Sequence, residues 1–185
     1  MRELLSNSLK KEILRKTIHF SGLVYIPAYI YFGRDFMLFS LSAILIFVFF
    51  FELLRIKYDF LYNLTREYEK KKFAAYFYYT LAIFLITIFF DKEACFSAVL
   101  CSNLGDGVAG IVKRFTNKDL GSFLMFTSSL LVSITFLPLF PSFAACLVST
   151  IVERVEKIGK FFIEDNFSVP VSAAVTYTTT YFLTN

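Results

Sequence analysis

Apolar residues fall along the chain in long blocks, each closed by a short charged stretch. Seven blocks can be drawn, at about 18–32, 36–54, 73–90, 94–112, 122–140, 142–158 and 167–183. A helix needs about 20 apolar residues to cross the hydrocarbon core of a bilayer, and helices satisfy their own backbone groups there. The first block is short unless its helix starts earlier. The fourth contains Asn103 and Asp106, and the sixth runs into Glu153, Arg154 and Glu156. The expected fold class is all-α: a polytopic integral membrane bundle of about seven transmembrane helices, forming one domain over 1–185. Between Arg55 and Lys72, Phe60, Leu61, Leu64 and Tyr68 recur at helical spacing among charges, which predicts a cytoplasmic interfacial helix.

The charges between the blocks alternate. Lys and Arg number five in residues 2–16, one at Arg34, six from Arg55 to Lys72, one at Lys92, three from Lys113 to Lys118, none near Pro138, and three from Arg154 to Lys160. Seventeen of the 19 therefore fall on one side of a seven-span arrangement. The positive-inside rule puts the N-terminus and those loops in the cytoplasm and the C-terminus outside. Losing one span would scramble every side after it.

Composition agrees. Hydrophobic residues make up 57% of the 185 positions and mean hydropathy is +0.62, against an apolar share of about 45–50% in soluble domains. A net charge of +4 could suggest nucleic acid, but the basic residues are divided among short loops, so none is expected as a partner. Cys95, Cys101 and Cys146 lie in apolar runs without zinc-ligand spacing and read as small core residues. The first 20 residues lack a continuous apolar stretch and a small-residue cleavage site, so no removable signal peptide is expected.

Ionisable residues within the hydrocarbon cost about 2.5–3.5 kcal/mol each on insertion scales, which makes them candidates for function. The segment Ser102-Asn103-Leu104-Gly105-Asp106-Gly107-Val108-Ala109-Gly110 sets an amide and a carboxylate among tiny residues. On a helix, Asn103, Asp106, Gly110 and Lys113 share a face, a plausible one for phosphate and metal. The alternative is small-residue packing with Asp106 paired to a neighbouring cation. Lys113, Arg114 and Lys118 follow in a loop ending Gly121-Ser122 where a helix begins, an arrangement that can hold a polyphosphate or simply mark the inside. Arg15, Lys16 and His19 stand where the chain enters the membrane, with Arg15 and His19 one turn apart. Glu52 and Arg55 at the end of the second block are either a pair or part of a site. Asp165 and Asn166 precede Pro170, which suits the first turn of the last span, and they could cap it.

Taken in order, these clusters resemble the CTP-dependent polyprenol kinase family, which includes dolichol kinases, phytol and farnesol kinases and a CTP-using diacylglycerol kinase. The matching pieces are Glu12-Ile13-Leu14-Arg15-Lys16-Thr17-Ile18-His19, Glu52-Leu53-Leu54-Arg55, Arg66-Glu67-Tyr68-Glu69, Gly105-Asp106-Gly107-Val108-Ala109, Gly121-Ser122 and Asp165-Asn166-Phe167-Ser168-Val169-Pro170. The resemblance implies a membrane enzyme that moves the terminal phosphoryl group of CTP to a lipid alcohol with Mg2+. It implies Asp106, Lys16 and Arg15 as catalytic; Asn103, Gly105, Gly110, Lys113, Arg114, Lys118, Gly121, Ser122 and Asn166 around the nucleotide; His19 and Glu52 toward the lipid hydroxyl; and Asp106 and Asp165 on the metal. There are departures. Lys113 stands where the family has glycine, the next loop is short, and Leu120 replaces a glutamate before Gly-Ser. Either Lys113 and Lys118 rebuild the phosphate grip or nucleotide preference has shifted. Alternatives are a CTP-dependent cytidylyltransferase making a CDP-lipid, whose long acidic signature is absent, and a small transporter, which would need polar residues in the outer half. The 25 Phe could cover lipid, substrate or a second copy of the chain in a homodimer.

Overall fold

The computed structural model describes residues 16–17, 19–58, 71–155, 157–158 and 161–184, and over them the regular structure is helical apart from one short ladder. In order come a 3-10 turn Gly22–Val24, α1 Tyr25–Tyr58, α2 Ala75–Phe89, α3 Lys92–Val99, a π-helical turn Leu100–Gly105, α4 Asp106–Phe115, α5 Lys118–Ser133, α6 Leu139–Glu153, β1 Lys157–Ile158, β2 Phe161–Phe162 and α7 Asp165–Thr184. The two strands pair antiparallel, Lys157 opposite Phe162. Two helical stretches, His19–Tyr58 and Lys92–Phe115, are long and apolar enough to cross a membrane by length and composition, while α2 and α6 are apolar but shorter. The expected interfacial helix falls largely at 59–70, outside the described residues.

The stretch His19–Tyr58 is two limbs. Gly33, at φ 78° and ψ 178°, adopts a backbone conformation essentially confined to glycine. Contacts on α2 show what that does. Before Gly33 the chain runs with α2: the His19 ring lies 6.1 Å from that of Tyr79, and further along the Tyr25 hydroxyl lies 2.8 Å from Thr87 Oγ1. After Gly33 it runs against α2: Arg34 donates to the carbonyls of Thr87 (3.0 Å) and Ile88, and Glu52 reaches Ala74 and Tyr76. The chain therefore reverses at Gly33, with one limb over 19–32 and the other over 34–58, where the first two blocks lie.

Other boundaries differ from the hydropathy reading. α5 stops at Ser133 and α6 begins at Leu139, where Pro138 lacks the N–H that would continue a helix from the preceding residues. α6 ends at Glu153, before the charged run reaches 158. α7 begins at Asp165, with the Glu164 carbonyl accepting from the Phe167 (3.0 Å) and Ser168 (2.9 Å) amides, so Pro170 lies inside the helix instead of in its first turn. The core forms where α3, α6 and α7 meet and is lined by small residues: Ala98, Cys101, Ala145, Cys146, Ala173 and Ala174 are fully buried. All three cysteines are free and buried, as core residues. Small side chains let helices approach closely where apolar burial gives no preference between helix and lipid.

Candidate functional site

The π-helical turn sets up the site. At its end the Asp106 amide donates to the Cys101 carbonyl, five residues back. In an α-helix that amide would take the Ser102 carbonyl. The wider turn leaves the Ser102 oxygen without that donor, and His19 Nε2 occupies it at 2.5 Å. The same Nε2 lies 3.2 Å from Asp106 Oδ2. Facing two acceptors, Nε2 is the protonated ring nitrogen in this arrangement. Such single π turns inside α-helices recur at functional sites.

Lys16 arrives from the same N-terminal segment, 90 positions away in sequence. Its Nζ lies 3.3 Å from Asp106 Oδ2 and 3.2 Å from the Asp106 carbonyl. The three side chains are 10–18% exposed, so this is an ion cluster largely withdrawn from water. The glycines explain how the segments come so close. A Cβ on Gly110 would run into Cε and Nζ of Lys16, one on Gly107 would meet the Phe20 ring at 2.8 Å, and one on Gly22 would meet Asn103 Nδ2 at 2.5 Å. The small residues around Asp106 thus admit a lysine stem and a phenyl ring, with Gly105 seated on Met125 and Ser129.

Asn103 is fully buried; its amide donates to the Tyr79 hydroxyl, and its Oδ1 has no partner among the described residues. Lys113 leaves the Asp106 face altogether. It crosses Gly121, where a Cβ would strike its Cγ, and pairs with Glu153. Arg154 reaches Asp119 at the start of α5. Asn117 caps α5 by accepting from the Leu120 amide at 2.8 Å. Ser122 is buried one turn in. Arg114 lies in the last turn of α4 and Lys118 opens α5.

The structure gathers Lys16, His19, Asn103, Asp106 and Gly110 in one place, and a second group, Lys113 and Gly121 with Glu153, beside it. Asp165 and Asn166 stand at the start of α7, where Asp165 Oδ1 accepts from the Asn166 amide (2.8 Å) and Nδ2 (2.7 Å). Glu52 stands apart. It is fully buried, and its two oxygens take Arg55 Nε (2.7 Å), Arg55 Nη2 (2.9 Å), the Ala74 amide (2.7 Å) and the Tyr76 hydroxyl. A carboxylate so fully engaged joins the end of α1 to the start of α2. Arg15 lies outside the described residues.

Sequence reading missed Tyr79, Phe20, the Ser102 carbonyl and Glu153. Only Glu153 carried a signal, as a carboxylate interrupting an apolar run. Tyr79 sits in an apolar block among other aromatics and looks like any of them.

A magnesium ion typically takes one or two protein carboxylates and fills its octahedron with water and phosphate oxygens. Asp106 can supply one such position. Among the described residues no three His, Cys, Asp or Glu side chains converge, so the donor set suits an ion that arrives with its phosphates and not one caged by protein alone. Lys16 and His19 offer N–H donors that phosphate oxygens accept well.

No protein-family model, no curated protein and no solved structure matches the chain.

Proposed function

We propose that this protein is an integral membrane kinase that moves the terminal phosphoryl group of CTP to the hydroxyl of a polyprenol-type lipid alcohol, releasing CDP. The observation that carries the reading is the convergence of Lys16 and His19 on Asp106. Three ionisable side chains from distant segments are held together within apolar helices, where each is expensive unless it is used. The motif order resembling the CTP-dependent polyprenol kinases supplies the reaction class.

In the seven-span reading the limbs before and after Gly33 are the first two spans, followed by α2, the stretch Lys92–Phe115, α5, α6 and α7. Large exposed apolar side chains such as Phe39 (76%), Phe47 (68%) and Phe50 (59%) support a lipid-facing surface. The Asp106 cluster lies at the end of the bundle that carries the basic loops, which the positive-inside rule assigns to the cytoplasm, where CTP is.

Phosphoryl transfer asks of the protein mainly positioning and charge neutralisation. Lys16 is placed to donate to phosphate oxygens and to offset the charge that develops on them. Asp106 offers a metal-binding oxygen, with Asp165 a second candidate. His19 holds its Nε2 proton between Ser102 and Asp106, which orients the carboxylate. Bound Mg2+ would neutralise phosphate charge. Arg114 and Lys118 flank the altered loop and would serve the outer phosphates, while Lys113 is paired with Glu153 beside them.

The test is incubation of purified protein with magnesium, γ-labelled CTP and a panel of lipid alcohols, beside Asp106→Asn. Label entering the organic phase with the wild type and not the variant supports the kinase. With phosphatidate added as a second acceptor, label entering it only from α-labelled CTP would replace the kinase with cytidylyl transfer, and no transfer to alcohol or phosphatidate from CTP or ATP by folded protein would sink both.

A further inference from the structure

At the opposite end of the bundle from Asp106, where α3 begins and α7 ends, a cavity of about 190 Å³ is lined by Asp91, Glu93, Ala94, Tyr177, Thr178, Tyr181 and Phe182. Two of its hydroxyls are unspent. Tyr177 is only 2% exposed, yet its hydroxyl has no hydrogen-bond partner among the described residues, and the same holds for Thr178 Oγ1. A buried hydroxyl left unpaired costs about 1–3 kcal/mol, so these two are available to a bound group. Asp91 and Glu93 stand exposed at the rim. Asp91 occupies the N-cap of α3 but accepts no capping hydrogen bond. Nearby cations are engaged elsewhere: Lys92 lies over the Phe96 ring, 5.8 Å from its centroid, and Arg34 donates to the carbonyls ending α2. Among the described residues neither carboxylate forms an ion pair. The wall is aromatic, with Tyr177 and Tyr181 stacked at 10° between planes.

We propose that this cavity binds a small organic ammonium group. Two carboxylates attract a cation, tyrosine and phenylalanine faces stabilise one with few or no N–H donors, and the Tyr177 and Thr178 hydroxyls accept from an N–H of the group or, for a quaternary ammonium such as choline, from the hydroxyl beside it. A bare metal ion fits less well. No three ligating side chains converge among the described residues, and the space equals about six waters at roughly 30 Å³ each. The ammonium can come from a soluble amine or from a lipid headgroup at the membrane surface. Nothing at this end depends on what Asp106 does.

The full chain in detergent is tested by equilibrium dialysis with radiolabelled choline. In parallel, native mass spectrometry follows lipid retained from nanodiscs of phosphatidylethanolamine or phosphatidylglycerol. Saturable choline binding, or retention of phosphatidylethanolamine over phosphatidylglycerol, is expected, the first marking a soluble source and the second a headgroup. Either should weaken about tenfold in Glu93→Gln and severalfold in Tyr177→Phe. Glu93 is exposed, so Glu93→Gln should melt as the wild type, and Tyr177→Phe, which removes an unpaired buried hydroxyl, should melt no earlier than the wild type. If Glu93→Gln melts early, Asp91→Asn gives the same reading. Binding of neither probe, or binding undiminished by loss of the carboxylate, overturns the proposal.

Discussion

Lys16 can reach Asp106 only because residue 110 has no side chain. A methyl group at Gly110 would overlap Cε and Nζ of Lys16, so Gly110→Ala is expected to push the ammonium off the carboxylate. Under the kinase proposal its kcat falls by about tenfold or more, while Lys16→Met, which removes the charge, falls by roughly a hundredfold, the usual loss for one donor to developing charge. Steady-state kinetics on folded variants check both, and an unaltered kcat in Lys16→Met would remove Lys16 from the mechanism. The Glu52 cluster should respond differently. Arg55→Met leaves a fully buried carboxylate without its guanidinium, which costs about 3–5 kcal/mol. That loss is expected in thermal unfolding, with the double variant Glu52→Met, Arg55→Met recovering part of it. The two ionic clusters are thus separable, one through turnover and the other through stability.

Among the elements, Gly33 and the π turn do most to shape the molecule. No heavy atom lies within 4 Å of where a Cβ on Gly33 would stand, so the cost of Gly33→Ala is one of backbone conformation alone. It is expected to destabilise by about 1–3 kcal/mol, read by thermal or denaturant unfolding, with turnover of the folded fraction unchanged. The block pattern anticipated a break between 32 and 36, and the tertiary contacts turn that break into a reversal. The π turn has no such signal. Leu100 to Gly105 is an ordinary apolar and small-residue stretch, and the register change that gives the Ser102 oxygen to His19 becomes visible only once His19 is placed beside it. Of the expected face, Asn103 and Asp106 meet the N-terminal segment, while the long Lys113 side chain, seven residues on in α4, turns to Glu153.

At the scale of the whole molecule, the topology proposal predicts which loops face out. In a background lacking Cys95, Cys101 and Cys146, an impermeant maleimide added to intact cells should label Thr135→Cys and leave Thr116→Cys unlabelled until the membrane is opened; both positions are exposed. Labelling of Thr116→Cys from outside would invert the arrangement. The sequence by itself determined the helical class, the places where apolar blocks end, the uneven charge between the two sets of loops, and Asp106 as the carboxylate hardest to explain as packing. These follow from transfer of each residue between water and an apolar phase, a property local to the residue and its near neighbours. Only the tertiary structure decided the partners. Lys16 meets Asp106 across 90 positions and Lys113 meets Glu153 across 40, Glu52 is saturated by groups on two segments, and the glycines read as openings for a ligand hold a lysine and a phenyl ring. Contacts at such separations are set by how helices pack and where one turn widens, and no period in the chain encodes either.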